Sequence, residues 1–171
     1  PYAIKDQNGI KVGFFGLMGR DAAEVAPFAK PLTFRDPIEV ARNMVQILRE
    51  KEQVDVVVML SHCGIWEKET ISEDEIIAQE VAGIDIIVSD HTPKRLDEPL
   101  KVNDTLILHT GAYGTHVGVL DISIENGRVK MVDYKLAPID DSIPADPDIQ
   151  ERIDDYMGYI DKNVLEKENL S

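Results

Sequence analysis

VDVVVMLSHCGIWEKETISEDEIIAQEVAGIDIIVSDH, residues 54–91, decides how this chain is read. VDVVVML (54–60) is an almost unbroken apolar run rich in valine, the pattern of a strand covered on both faces. IDIIV (84–88) repeats that pattern. Between them SEDEIIAQEVAG (72–83) predicts a short acidic helix, with Ser72 as its cap and Gly83 as its stop. Strand, helix and strand predict a parallel pair, and in an open sheet of that kind ligands bind beyond the carboxyl ends of the strands. His62 follows the first run after Ser61, and His91 follows the second after Ser89 and Asp90, so two of the chain's four histidines fall on that edge.

The same pattern extends outward. Upstream, NGIKVGFFGLMG (8–19) predicts a turn and a buried strand ending in small residues, followed by a proline-containing loop. A helix start is marked by Asp36, Pro37 and Glu39, with Ala41, Met44, Val45 and Leu48 on one face. Downstream, TLILHTGA, VGVLDISIEN and RVKMVDYKL predict a β-meander, with Asn126-Gly127 as a hairpin turn. The expectation is an α/β fold: a parallel sheet with added antiparallel strands and flanking helices. A helix is expected from about Pro147, with Ile149, Ile153, Tyr156, Ile160 and Val164 along one seam.

The 171 residues suit one domain. With 32 acidic against 18 basic residues the net charge is −14, which excludes nucleic acid and anionic membrane as main partners. The single cysteine, Cys63, excludes an internal disulfide, and no apolar stretch reaches the ~20 residues of a membrane helix. PYAIKDQNG is not a secretory leader, and a first residue other than Met suggests a piece of a longer chain.

Imidazole is a common ligand for Zn, Mn, Fe and Ni. A lone histidine at a strand end is most often a hydrogen-bonded structural residue; the matched placement makes His62 and His91 a candidate metal pair. His109, within an apolar strand, and His116, in a glycine-rich turn, read as structural. Gly13, Gly16 and Gly19 lack the helix start of a phosphate loop and read as a tight strand end. Cys63 reads as packing, GAYG (111–114) as a turn, and EKETISEDE as a solvated acidic face. Trp66 is a candidate cover for the site entrance or for a partner surface.

The ordered series NGIKVGFFGLMG, DPIEVA, VDVVVMLSHCG, GIDIIVSDHT and TLILHTGAYGTHVGVLDISIENGRV resembles the second half of the metallophosphoesterase domain of the 5'-nucleotidase family, over roughly residues 2–160. These calcineurin-like phosphoesterases include UDP-sugar hydrolases and cyclic-nucleotide phosphodiesterases. The resemblance implies part of a two-sheet sandwich flanked by helices, spanning 1–143, and a linker helix, 144–171, leading to a further domain. It implies divalent metal ions (Zn, Mn, Mg, Ca or Fe), a nucleotide or other phosphoester substrate, and an extracellular, periplasmic or cell-surface setting. His62 in SHCG matches the family's isolated metal-binding histidine, and His91 in SDHTP the first histidine of its last motif. Gly111, Tyr113 and Gly114 match a loop near the substrate.

Asp90 stands where the family has glycine, and Pro93 where it has a second histidine or glutamine. Asp90 is a candidate oxygen ligand or a group behind the ligands; one residue early, its carboxylate is expected to point elsewhere and to weaken the site. No Asp-x-His or Gly-Asn-His motif occurs. Two readings result. One is part of a two-metal phosphoester hydrolase whose other half and C-terminal domain lie outside this chain, leaving the slice inactive alone. The other is a phosphoesterase fold without catalysis, serving as a binding or assembly module.

Overall fold

The architecture comes from a computed structural model that describes residues 2–26, 28–66, 72–168 and 170. Two compact units divide the chain, one ending at Pro138 and the other beginning at Ile139.

In the first unit, β2 (Ile10–Met18), β3 (Val56–His62), β4 (Ile86–Val88) and β6 (Thr105–Leu108) run parallel at the centre of a six-stranded sheet. β1 (Tyr2–Gln7) and β5 (Leu100–Val102) close its two edges antiparallel. The valine run of β3 is covered on both faces, as its composition predicts. Val57 and Met59 join Phe15, Ile87 and Ile107 under the helices α2 (Pro37–Gln46) and α3 (Glu73–Glu80). Val56 and Val58, with Ile86, meet Leu120, Ile122, Ile124 and Val129 of a separate hairpin, β7 (His116–Glu125) and β8 (Arg128–Pro138). Each fully buried Ile or Met contributes ~1.5–3 kcal/mol.

The helix starts follow the capping chemistry. Asp36 accepts the N–H groups of Ile38 and Glu39, and the Glu75 carboxylate reaches back to the N–H of Ser72. A short helix, α1 (Ala22–Val25), precedes them. Past α2 the chain continues as a π-helical turn, Ile47–Lys51, whose Arg49 guanidinium donates to the carbonyls of Gly83, Val54 and Asp55 and to Asp85.

The expected meander is not what forms. TLIL enters the main sheet as β6, parallel to β4, and only the last two runs pair as a hairpin. Its alternation is short and nearly all apolar, which suits a buried central strand better than a half-exposed meander. β1 and β5 were unread in the sequence: Tyr2–Gln7 is exposed throughout and β5 has three residues, so neither carries an apolar period. EKETISEDE is not a solvated face where the structure describes it, since Ser72 and Asp74 are buried; residues 67–71 lie outside the described set.

In the second unit, Asp146 caps α4 (Pro147–Ile160) by accepting from Asp148 and Ile149 N–H, and the helix continues as a π-helical turn, Asp161–Leu165. Among the described residues no helix is long and apolar enough to cross a membrane.

Candidate metal centre

β3 and β4 pair in register from Val58↔Ile86 to Leu60↔Val88, so their carboxyl ends leave the sheet side by side. His62 is the last residue of β3. His91, three residues past β4, has φ +83, a left-handed backbone that L residues with a large side chain rarely adopt. That turn sends its imidazole back towards β3. His62 Nε2 and His91 Nδ1 stand 3.0 Å apart, with the rings edge-to-face at 77°.

Each ring has a carboxylate behind it. Asp90 Oδ2 lies 3.5 Å from His62 Nδ1, and Asp21 Oδ2 lies 3.7 Å from His91 Nε2. Asp90 therefore does not point away, contrary to the expectation from its position one residue early. The bend at His91 brings the preceding side chain round to the back of His62. The two carboxylates flank the pair at ion-pair distance, and the facing nitrogens stand at hydrogen-bond distance from each other. Asp21, in the loop before α1, has no local sequence signal that marks it.

Trp66 packs edge-on against the His91 ring at 5.6 Å between centroids and is 41% exposed, so it touches the site and also meets solvent. A shallow groove of ≈ 530 Å³ opens beside His91, lined by Asp90, Thr92, Pro93 and the Gly111–Gly114 loop. Gly111, Tyr113 and Gly114 all have positive φ, and Tyr113 projects 99% exposed at the rim.

The remaining candidates have structural partners. His109 is buried just past β6; its Nδ1 accepts the N–H of Gly111, so its Nε2–H donates to Thr92 Oγ1, and burial pushes its pKa down. His116 is the first residue of β7 rather than part of a turn; it accepts from Arg95 and meets Thr115 Oγ1 at 3.0 Å. Cys63 is buried, and desolvation pushes its thiol up to about 12, which suits packing rather than a nucleophile. A Cβ on Gly13 would meet Leu48 at 2.8 Å, so that glycine serves close packing of the π-helical turn after α2 on β2.

Beneath the pair lies Asp74, on the first turn of α3 and 0% exposed. Ser61 Oγ donates to its Oδ1 and Ser89 Oγ to its Oδ2, each at 2.5 Å. Burial pushes its carboxyl above the usual range, opposed by the two serines and the Gly64 N–H. Its one signal in the sequence is the serine that precedes each histidine.

The facing nitrogens are spaced for a direct hydrogen bond or for one shared ion. Two imidazole nitrogens each ~2.1 Å from a metal stand about 3.0 Å apart at a right angle and about 3.4 Å apart at the tetrahedral angle, against the observed 3.0 Å. Neutral imidazole suits Zn, Fe, Ni and related divalent ions. Among the described residues no group of three or more His, Cys, Asp or Glu is arranged to hold a metal.

No protein-family model matches the chain. It is 30% identical over 173 residues to the Bacillus subtilis protein named trifunctional nucleotide phosphoesterase YfkN, covering 98% of this chain and 11% of that protein. It is 30% identical over 163 residues to the 5'-nucleotidase of Vibrio vulnificus, covering 81% of this chain and 30% of that enzyme. Among solved structures, the 5'-nucleotidase precursor from Thermus thermophilus superposes with a TM-score of 0.75 at 25% identity, over 95% of this chain and 34% of that one. The chain thus spans about a third or less of each of these proteins. With the parallel sheet, its hairpin-covered second face and the order of its motifs, these matches make the chain a member of the calcineurin-like metallophosphoesterase family of 5'-nucleotidase type.

Proposed function

We propose that this chain supplies the His62–His91 half of the metal centre in a phosphoester hydrolase acting on nucleotides or nucleotide sugars. One observation carries the reading: two imidazole nitrogens on the ends of neighbouring strands face each other at 3.0 Å, with a carboxylate near the outer nitrogen of each ring. His62 Nε2 and His91 Nδ1 would hold a divalent ion, which supplies Lewis acidity towards a phosphoryl oxygen and lowers the pKa of bound water.

The neighbouring residues prepare the pair for that role. Asp90 and Asp21 stand 3.5 and 3.7 Å from the outer nitrogens, where each can orient a ring. The groove between His91, Pro93 and the Gly111–Gly114 loop gives a phosphoester an open approach along one side of the pair. Ligands for a second metal, and the base-binding surface, would come from other parts of the parent protein, with residues 144–171 as the linker towards a further domain. An extracellular, periplasmic or cell-surface setting accords with the family resemblance.

The second reading, a binding module, is favoured by Pro93, which stands where the family has a second ligand and cannot coordinate through its side chain. Hydrolysis of p-nitrophenyl phosphate by the full-length natural protein with added Mn²⁺ or Zn²⁺ separates the two. The enzyme reading expects a metal-dependent rate that His91→Ala lowers by at least about a hundredfold, the upper range for loss of a group that only supports a ligand. Equal rates for wild type and His91→Ala would leave only the module.

A further inference from the structure

The β3–β4 ladder stops at Leu60↔Val88, before either histidine. Beyond it, β3 continues against β2, where Met18 pairs with His62, while the Ser89 N–H turns to the Leu108 carbonyl of β6. The two histidine-bearing ends are thus drawn towards opposite neighbours, and no ladder hydrogen bond joins them. Past the ladder the Ile65 N–H donates to Thr92 Oγ1, and nearest the strand ends Asp74 joins the two. One of its oxygens takes the hydroxyl of Ser61, next to His62, and the other takes the hydroxyl of Ser89, two residues before His91.

A buried ionised carboxylate is costly even when fully hydrogen-bonded, and an apolar side chain of similar size would satisfy the packing under α3 at lower cost. The acid is placed where it can receive two hydroxyls from two different strands at once, which an apolar residue cannot do. The Ser61 hydroxyl also accepts the Cys63 N–H, so the same contact sets the backbone on the far side of His62. The Gly64 N–H, on the tight turn that follows, also favours the ionised acid against its burial.

We propose that Asp74 is a positioning residue: by clamping Ser61 and Ser89 it holds the carboxyl ends of β3 and β4 together and sets the His62–His91 separation. It touches neither imidazole and acts through the two serines. Its consequence for metal binding rests on the function proposed above, but the clamp itself can be read without a metal.

The test uses the isotopically labelled 171-residue chain in metal-free buffer and reads the nuclear Overhauser cross-peak between the His62 and His91 ring protons. Wild type should show it. Asp74→Ala should lose it while backbone spectra show the sheet intact. Asp74→Asn should retain it, because one carboxamide can accept from one serine and donate to the other. Where Asp74→Ala does not fold, Ser89→Ala, which deletes one tether and leaves Ser61 bonded to the acid, should weaken the cross-peak. A cross-peak of wild-type strength in folded Asp74→Ala or Ser89→Ala overturns the proposal, as does its loss in Asp74→Asn. Titration of the full-length natural protein with Zn²⁺ then separates the two ideas. No binding by that wild-type protein, with the cross-peak present, removes the metal reading and leaves the clamp standing. Binding that falls about tenfold to a hundredfold in Asp74→Ala supports both.

Discussion

Gly64 and Gly9 form a matched pair for measuring how tightly the site end is packed. Both have left-handed backbones, φ +90 and φ +84. Replacing either by alanine places a Cβ in a conformation that costs ~1–2 kcal/mol. At Gly9, in the Asn8-Gly9 hairpin turn, the new methyl group meets nothing within 4 Å, so that backbone cost is the whole effect. At Gly64 it would stand 2.7 Å from Thr92 Cγ2 and 3.2 Å from the Asp90 carbonyl oxygen. Thr92 cannot swing aside freely, because its Oγ1 accepts the Ile65 N–H and faces His109 Nε2. Breaking those contacts costs about 1 kcal/mol each, and overpacking a buried site costs about 1–3 kcal/mol. Gly64→Ala should therefore destabilise the chain by about 1–3 kcal/mol more than Gly9→Ala. Urea unfolding followed by circular dichroism measures both, and the difference should emerge as a lower midpoint with an unchanged slope. Equal losses at the two positions would refute the close packing of the 64 turn on the 90–92 segment, and with it the account of why the His91 loop sits where it does.

Two further outcomes follow from the charged groups. Arg49→Lys should cost about 1–3 kcal/mol in the same urea assay, because a single ammonium cannot serve the carbonyls of Gly83, Val54 and Asp55 together with Asp85; a loss below about 0.5 kcal/mol would show that the fork is not needed. Asp74 predicts a pH effect. Burial raises its carboxyl, so its contribution to stability is fully present below the unfolded value near pH ~4 and is lost as the pH rises through the raised folded value. Asparagine does not titrate, so the stability of Asp74→Asn relative to wild type should increase above about pH 4 and level off once the pH passes the raised folded value. Parallel urea curves over that range check it, and a constant difference would contradict the raised value.

Much of the fold was legible because its signals are local. VDVVVML and IDIIV read as strands buried on both faces, and Asp36-Pro37 and Ser72 marked helix starts that the structure keeps. The edge strands escaped because an exposed strand and a three-residue strand have no apolar period to read. The placement of TLIL escaped for another reason. Whether an apolar run joins a parallel sheet or a meander depends on which strand it lies beside, and that partner, β4, is distant along the chain.

The site divides along the same line. The sequence alone determined that two histidines end neighbouring buried strands, since strand order and strand ends follow from apolar runs and helix caps. Only the tertiary structure decided that their nitrogens face each other, that Asp90 and Asp21 stand behind the rings, and that Asp74 ties Ser61 to Ser89. Those relations hang on the left-handed turn at His91 and on loops brought together by packing. Both are set by contacts between segments far apart in the chain, which no periodicity in the residues records.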